Sequence, residues 1–247
     1  MLITIQAGYN KSNLPETFDS ISLESGKIYS IVGNTGSGKS RLIKDIEQLT
    51  SGDSLSKRHI LLNHKVVPLA DKNAISTTLI SHLSQNMRFV LDTSVHDFLT
   101  LHAHCRKKVT MNLAEVLSLA NTITPEPIIA TQNLNTLSGG QSRALMIADI
   151  ACICDSSIVL IDEIENAGIN KMQALKVLLN TQKLVLIVTH DPHTALMADT
   201  RIIMENGGIK SVLHRTQREL SLYETLTRQY EEELALQMAL RKGESLT

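Results

Sequence analysis

A glycine-rich segment, Gly33-Asn-Thr-Gly-Ser-Gly38-Lys39-Ser40, lies between an apolar run that predicts a β-strand and a segment that predicts a helix. Glycines allow backbone N–H groups to approach a phosphate without obstruction by side chains, and the N-terminus of the following helix attracts anions. Lys39 is suited to contact the β- and γ-phosphates of a nucleotide, and the Ser40 hydroxyl is suited to bind Mg²⁺. The segment therefore predicts a nucleotide-binding α/β domain.

The bulk properties of the chain are typical of a globular domain. Its 247 residues are 43% hydrophobic and carry a formal net charge of −1, so no nucleic-acid partner is expected. This length allows one domain with an inserted subdomain. The apolar runs are far shorter than the ~20 residues that span a bilayer, and the N-terminal residues lack the features of a signal peptide. Three cysteines are typical of a reducing compartment, so a cytoplasmic location is expected.

The first part of the chain predicts strand, loop, helix and strand in that order. Residues 2–7 and 27–32 predict strands, and residues 39–50 predict a helix that ends before Ser51-Gly52-Asp53. Residues 59–67 predict a pair of strands that Pro68 closes. This alternation indicates the start of an α/β domain.

The middle of the chain has a different pattern. Residues 86–136 place apolar side chains at helical spacing and have few strand signals, which predicts an inserted helical subdomain at about 86–142. Strands near 157–161 and 184–189 then resume the α/β alternation. Residues 201–213 predict a hairpin whose turn is Asn206-Gly207.

Residues 217–242 predict a separate amphipathic helix, because apolar side chains recur at steps of three or four from Tyr223 to Met238. The chain is therefore predicted to consist of a domain at 1–216 and a C-terminal helix at 217–247. Two alternatives remain for this helix. It packs on its own domain, or it contacts a dimer partner or another protein.

Two further strands end in polar residues. Ile158-Val-Leu-Ile is typical of a buried parallel strand and is followed by Asp162 and Glu163, while Leu184-Val-Leu-Ile-Val-Thr ends at His190. The carboxyl ends of such strands face the ligand crevice. Asp162 is placed to hold Mg²⁺ through water, and Glu163 is placed to polarise the attacking water. The alternatives are a helix-capping acid pair and a neutral core histidine.

A second anion site is predicted at Leu137-Ser-Gly-Gly-Gln141, where a serine and two glycines precede a helix. Together with the phosphate loop, Gln85 in Leu83-Ser-Gln-Asn86, the acid pair and His190, it completes five motifs in one order. Their order and spacing over about residues 1–215 resemble the nucleotide-binding domain of an ATP-binding cassette (ABC) ATPase. The implied fold is an α/β phosphate-loop NTPase of ABC type with a helical insert and a C-terminal amphipathic helix.

The resemblance implies roles for individual residues. Glu163 is the general base, His190 contacts the γ-phosphate, and Gln85 contacts Mg²⁺ or the attacking water. Ser40 and Asp162 are the other residues implied to bind Mg²⁺, and Lys39 is implied to be a catalytic residue. Tyr9 is implied to stack on adenine. The implied ATP-binding residues of the phosphate loop are Gly33, Asn34, Thr35, Gly36, Ser37, Gly38, Lys39, Ser40 and Arg41.

The resemblance also implies an assembly. Ser138, Gly139, Gly140 and Gln141 would contact the ATP held by a second ABC subunit, which gives a head-to-tail homodimer or heterodimer. Permease subunits on separate chains are the expected membrane partners, so the chain would lie at the cytoplasmic face of the membrane. Phe89, Val90, Leu91 and Phe98 are the expected exposed lining of the permease groove. The alternative is a soluble ABC ATPase that remodels or loads a protein partner.

Some residues depart from the family pattern. Arg41 replaces a common threonine, Ser142-Arg143-Ala144 replaces the usual residues after the second anion site, and Ile164 to Asn170 replaces a Pro-Thr-Ser-Ala-Leu-Asp segment of which Ala167 is kept. These departures leave ATP chemistry in place but weaken the case for the common importer and exporter subfamilies.

Histidine and cysteine side chains in the insert raise the alternative of a metal site. His96, His102, His104 and Cys105 are close in sequence, but on a helix positions 102 and 104 point about 200° apart and cannot chelate one ion. Packing or a partner contact is therefore the predicted role of these side chains. Ordinary packing is also predicted for Cys152 and Cys154.

Overall fold

The computed structural model describes residues 1–85, 87–108 and 110–245, except for the side chains of residues 166 and 167. The predicted start of the insert at Asn86, the retained Ala167 side chain and the last two residues of the chain lie outside this description. The strands are β1 (Leu2–Gln6), β2 (Ser20–Glu24), β3 (Ile28–Val32), β4 (His59–Leu62), β5 (Lys65–Val66), β6 (Ile80–Leu83), β7 (Ile158–Asp162), β8 (Leu184–Val188), β9 (Thr200–Glu205) and β10 (Gly208–His214). The helices are α1 (Lys39–Glu47), α2 (Lys72–Leu79), α3 (Val95–Cys105), α4 (Leu113–Ile123), α5 (Gly139–Cys152), α6 (Lys171–Asn180), α7 (Pro192–Met197) and α8 (Gln217–Arg241), with 3₁₀ turns at Leu134–Thr136 and Ile164–Ala167.

A six-stranded sheet in the order β10-β9-β3-β8-β7-β6 carries the predicted site residues. Strands β9, β3, β8, β7 and β6 are mutually parallel, and β10 is antiparallel to β9. The carboxyl ends of β3, β6, β7 and β8 therefore lie along one edge of the sheet. The phosphate loop, Gln85, the acid pair and His190 follow these four strands, so the topology gathers them at this edge.

Two apolar cores lie on opposite faces of this sheet. Alternate residues of one strand point to opposite faces, so Val159 and Ile161 of β7 pack with the insert, α5 and α6, while Ile158 and Leu160 pack against α1. The second core also contains the inner face of a four-stranded antiparallel sheet, β2-β1-β4-β5. Both faces of the large sheet are covered, which explains the continuous apolar runs that predicted its central strands.

The α/β class and most predicted elements are confirmed. Helix α1 ends at Glu47, three residues before the predicted end, and the hairpin turns at Asn206-Gly207 as expected. Strand β2, helix α2 and strand β6 were not predicted. These elements are short, and the polar residues of α2 conceal its helical period. The domain bounds 1–216, 86–142 and 217–247 stay a prediction.

Part of the predicted permease groove is wrong. Phe89 and Phe98 pack against the core and form an edge-to-face pair whose ring centroids are 5.0 Å apart. Val90 is 92% exposed and Leu91 is 45% exposed. Both phenylalanines are partly buried, and this packing anchors the segment before α3, so Val90 and Leu91 are the predicted groove residues that remain exposed.

Helix α8 packs on its own domain through its first half. Thr216 caps its N-terminus, and the rings of Tyr223 and Tyr230 lie 5.4 and 5.2 Å from that of His193 in α7. Thr227 Oγ1 is 3.1 Å from His193 Nε2. The last turns of the helix contain the exposed side chains of Leu236, Met238 and Leu240. Among the described residues, no helix is long and apolar enough to cross a membrane.

Candidate nucleotide-binding site

The phosphate loop connects β3 to α1 through positions that only glycine tolerates. Gly38 has φ = 105°, and a Cβ there would lie 2.6 Å from Gly207 Cα. The Lys39 ammonium donates hydrogen bonds to the carbonyls of Gly33 (2.7 Å) and Asn34 (3.2 Å), which hold it across the loop. The loop therefore has the glycine backbone and the lysine that phosphate binding requires.

The segment before β2 packs beside the phosphate loop. Lys11 Nζ donates a hydrogen bond of 2.7 Å to the carbonyl of Gly36, a contact that the sequence did not predict. Tyr9 lies two residues earlier, is 41% exposed, and has the Lys57 ammonium 5.2 Å from its ring centroid. Stacking of a base on Tyr9 would use the free area of this ring or displace Lys57.

Glu163, Gln85 and His190 come together at the sheet edge from three different strands. Gln85 Nε2 donates a hydrogen bond of 2.6 Å to Glu163 Oε2, and His190 Nδ1 lies 3.5 Å from Glu163 Oε1. Glu163 has a left-handed backbone with φ = 49°, which turns the chain sharply after β7. Gln85 thus holds the predicted base by a hydrogen bond, and the His190 ring lies close to the other oxygen of the same carboxylate.

Asp162 precedes this cluster at the end of β7. Burial and the negative charge of Glu163 raise the pKa of its carboxyl group, so the site has negative charge that a cation would stabilise. Asp162, the exposed Ser40 hydroxyl and the exposed Gln85 amide are oxygen ligands of the kind that Mg²⁺ prefers. The residues present therefore fit a magnesium ion.

Arg143 connects the second anion motif to this edge, and its role was missed by the sequence analysis. Its guanidinium is buried and donates hydrogen bonds to the carbonyl oxygens of Asp162 (2.7 Å) and Gln85 (3.3 Å). Burial lowers the pKa of Arg143, and the carboxylates of Asp162, Glu165 and Glu163 oppose that change. The arginine joins α5 to the loops that carry Gln85 and Asp162. No sequence pattern predicts that an arginine at this position is buried, so its role could not be found from the sequence.

The Leu137–Gln141 segment is a capped helix start. Ser138 Oγ accepts a hydrogen bond from the Gln141 backbone N–H and donates one of 2.8 Å to Glu126 Oε2. The Gln141 side chain is buried, where it caps the helix and donates to the Pro127 carbonyl. Ser138 and Gly139 are exposed and Gly140 is half-buried. All of these hydrogen bonds of Ser138 lie within the helical region.

His102 belongs to a polar cluster that joins α3 to α5. Its Nδ1 lies 2.7 Å from Asp149 Oδ1, its Nε2 accepts a hydrogen bond from Arg106 Nε, and Asp149 Oδ2 is 3.6 Å from Cys154 Sγ. Both ring nitrogens are engaged, and burial raises the pKa of the Cys154 thiol to about 12. These contacts agree with a packing role for His102, and the ligand atoms of His102, Asp149 and Cys154 lie within 4.8 Å of one another.

The site consists of a phosphate loop followed by a helix. An acid pair, a glutamine and a histidine lie at the ends of the neighbouring parallel strands. This combination defines a phosphate-loop NTPase. A family model described as ABC transporter matches residues 19–166, more than half of the chain. An uncharacterised ABC transporter ATP-binding protein of Methanocaldococcus jannaschii is 48% identical over 246 residues, 99% of this chain and 94% of that protein. The energy-coupling factor transporter ATP-binding protein EcfA2 of Staphylococcus aureus is 29% identical over 204 residues, 76% of this chain and 68% of that protein.

Solved structures show the same fold. CbiO1 of Clostridium perfringens, part of the ABC transporter complex cbiONQ, superposes with a TM-score of 0.68 at 18% identity and covers 97% of this chain and 98% of its own. A dimeric ATP-binding cassette with bound ADP and Pi superposes with a TM-score of 0.62 at 20% identity, over 87% of this chain and 98% of its own. The chain belongs to the ABC transporter family, as an ATP-binding and ATP-hydrolysing subunit.

Proposed function

We propose that the chain hydrolyses MgATP as one half of a head-to-tail dimer and drives separate membrane subunits. The observation that carries the proposal is the triad of Gln85, Glu163 and His190 beside Asp162 at the carboxyl edge of the sheet. Relatives named as transporter ATP-binding proteins support a transport role over the soluble remodelling alternative. This role would place the chain at the cytoplasmic face of a membrane.

The Glu163 carboxylate accepts the proton of the attacking water in the proposed reaction. Gln85 fixes the orientation of that carboxylate through its 2.6 Å hydrogen bond, and His190 contacts the γ-phosphate. Lys39 leaves its two loop carbonyls and contacts the β- and γ-phosphates. Ser40, Gln85 and Asp162 would hold Mg²⁺, which neutralises charge on the phosphate oxygens when bound.

The second anion motif completes the site of the other subunit in this proposal. Exposed Ser138 and Gly139 provide a hydroxyl and a backbone N–H at a helix N-terminus, the pair of features that favours phosphate. The same helix also reaches the chain's own site, because Arg143, four residues after Gly139, donates hydrogen bonds to the Gln85 and Asp162 carbonyls. Each subunit would then use one motif for its own ATP and the other for its partner's.

Lys39→Ala is expected to weaken ATP binding at least tenfold, about 1.4 kcal/mol, while the fold is retained. The ammonium is a point charge on the phosphates, and its two bonds in this structure are to loop carbonyls that solvent can satisfy. Calorimetry with ATP measures the effect. Lys44→Ala, an exposed lysine on the same helix, is the matched control. Unchanged affinity in the Lys39 variant would rule out the phosphate-loop role.

Charged residues at Val90 and Leu91 are expected to abolish association with membranes that contain the partner subunits. Both side chains are exposed, so Val90→Asp and Leu91→Asp leave the Phe89–Phe98 pair and basal ATPase activity intact. Co-sedimentation with membranes of the source organism is the measurement, and Val66→Asp on the other sheet is the control. If the wild-type chain never co-sediments and reproducibly captures a soluble protein instead, the remodelling alternative replaces the transport role.

A further inference from the structure

Glu165 lies next to His190 and has no role in the reaction proposed above. It belongs to the 3₁₀ turn that follows Glu163, and its side chain is only 11% exposed. Glu163 has a left-handed backbone at the start of this turn, and the carboxylates of Glu163 and Glu165 both lie within 4 Å of the His190 ring. Glu165 is therefore a mostly buried acid next to a histidine assigned to the γ-phosphate.

One oxygen of Glu165 organises the turn that carries His190. Oε1 accepts a hydrogen bond of 2.8 Å from Thr189 Oγ1 and one of 3.4 Å from the His190 backbone N–H. Thr189 Oγ1 in turn accepts a 3.0 Å hydrogen bond from the Asp191 backbone N–H. A single carboxylate oxygen thus controls, directly or through Thr189, the backbone of residues 189–191.

The ring of His190 depends on such contacts because packing does not hold it. Its side chain is 65% exposed, and its Nδ1 lies 3.5 Å from Glu163 Oε1 and 3.7 Å from Glu165 Oε1. Both separations exceed the usual hydrogen-bond range, so the ring is placed between two acceptors and fixed by neither alone. An exposed ring with rotamer freedom must be oriented by its backbone and by nearby acceptors before it can serve a reaction.

A surrounding network stabilises this arrangement. Asp191 is half-buried, which opposes its ionisation, but hydrogen bonds from Lys171 and Thr194 lower its pKa to about 2, so it remains ionised and paired with Lys171 at 2.5 Å. Lys171 also places its ammonium 4.7 Å from the ring centroid of Tyr230 in α8. Asp191, the residue after His190, is therefore held in place by Lys171 and Thr194. Thr189, the residue before His190, is held by Glu165.

We infer that Glu165 is a positioning residue for ATP hydrolysis, which sets the backbone turn at Thr189–His190 and presents the His190 ring to the γ-phosphate. This inference rests on the proposed function and deepens it. The acceptor at Oε1 performs the role, so an amide oxygen in the same place should replace it. The second oxygen, Oε2, is buried without a hydrogen-bond partner among the residues the structure describes.

The test compares three variants in steady-state ATPase assays of the full chain. Glu165→Ala should lower kcat between roughly tenfold and a hundredfold while KM for ATP changes less than about twofold, since a small misplacement of a reacting group costs rate. Glu165→Gln should restore most of kcat, because its amide oxygen still accepts from Thr189 and His190. Thr189→Val should reproduce part of the loss. Glu233→Ala is the control, because Glu233 is an exposed acid of α8 that lines one cavity together with Glu165 and His190, and it should leave kcat unchanged.

A second measurement follows the environment of the His190 imidazole by NMR. In ¹⁵N spectra of the imidazole groups, the His190 signals, assigned by their loss in His190→Gln, should change in Glu165→Ala and return in Glu165→Gln. Unchanged kcat and imidazole signals in Glu165→Ala, or an equal loss in Glu165→Gln, would overturn the inference. If the wild-type chain does not hydrolyse ATP, the proposed function itself fails, and the two failures are thereby distinguished.

Discussion

Glu163→Gln is expected to reduce ATP turnover by roughly 10²–10⁴-fold, the usual contribution of a general base, while ATP still binds. Glutamine keeps the shape of the side chain and an oxygen for the Gln85 amide, which donates to Glu163 Oε2 at 2.6 Å. It cannot take a proton from water near neutral pH. The contacts of Lys39 and the phosphate loop are untouched by this change, so bound ATP should accumulate between two subunits.

Gel filtration with and without MgATP tests this expectation together with a phosphate-release assay. The Glu163→Gln chain should move from monomer to dimer on addition of MgATP, and its phosphate release should be close to background. Glu205→Gln, an exposed acid on β9, is the control and should behave as the wild type does. A wild-type rate in the Glu163 variant would remove Glu163 from the role of base.

Arg58→Met is expected to lower the free energy of unfolding by about 3–5 kcal/mol, a large part of the 5–15 kcal/mol typical of a domain. The Arg58 side chain is completely buried and pairs with Glu16 at 2.6 Å and Asp45 at 2.9 Å. It also donates a 3.0 Å hydrogen bond to the Gly207 carbonyl. Methionine fills similar space but leaves two buried carboxylates without their cation, which is the costly outcome of breaking a buried pair.

Urea denaturation followed by circular dichroism measures this change. Lys27→Met removes an exposed ion pair with Glu24, in which both side chains are more than half exposed, and serves as the matched control with no measurable loss. A triple variant that also carries Glu16→Gln and Asp45→Asn should recover part of the stability, because no buried charge is then unpaired. An Arg58→Met midpoint equal to that of the wild type would contradict the assigned role of this network.

Local features were readable in the sequence because their causes are local. The glycines of residues 33–38, the serine before α5 and the apolar runs of β7 and β8 each act within a few residues of chain. Sheet order follows less directly, yet parallel strands with their polar ends on one edge were expected from the alternation of strands and helices. The phosphate loop, the acid pair and His190 could therefore be assigned to one site from the strands they follow, whereas Gln85 was assigned by the family resemblance because β6 was not predicted.

Contacts between residues far apart in the sequence could not be predicted from local patterns. Arg143 bridges the Gln85 and Asp162 loops, and Glu165 supports the turn at His190, but neither has a pattern that identifies its partner. Phe89 and Phe98 were expected on the surface because apolar period alone does not distinguish a core face from a docking face.

The nucleotide chemistry, the α/β class and the order of the motifs could be predicted from residues close together in the chain, because backbone geometry and phosphate-loop chemistry depend on neighbouring residues. Which side chains hold the site in place became clear only from the folded arrangement. Those contacts join residues far apart in sequence, such as Gln85 and Glu163, which are 78 positions apart, and burial selects them only after the strands have assembled. Packing over such separations depends on the whole fold, so no local pattern specifies it.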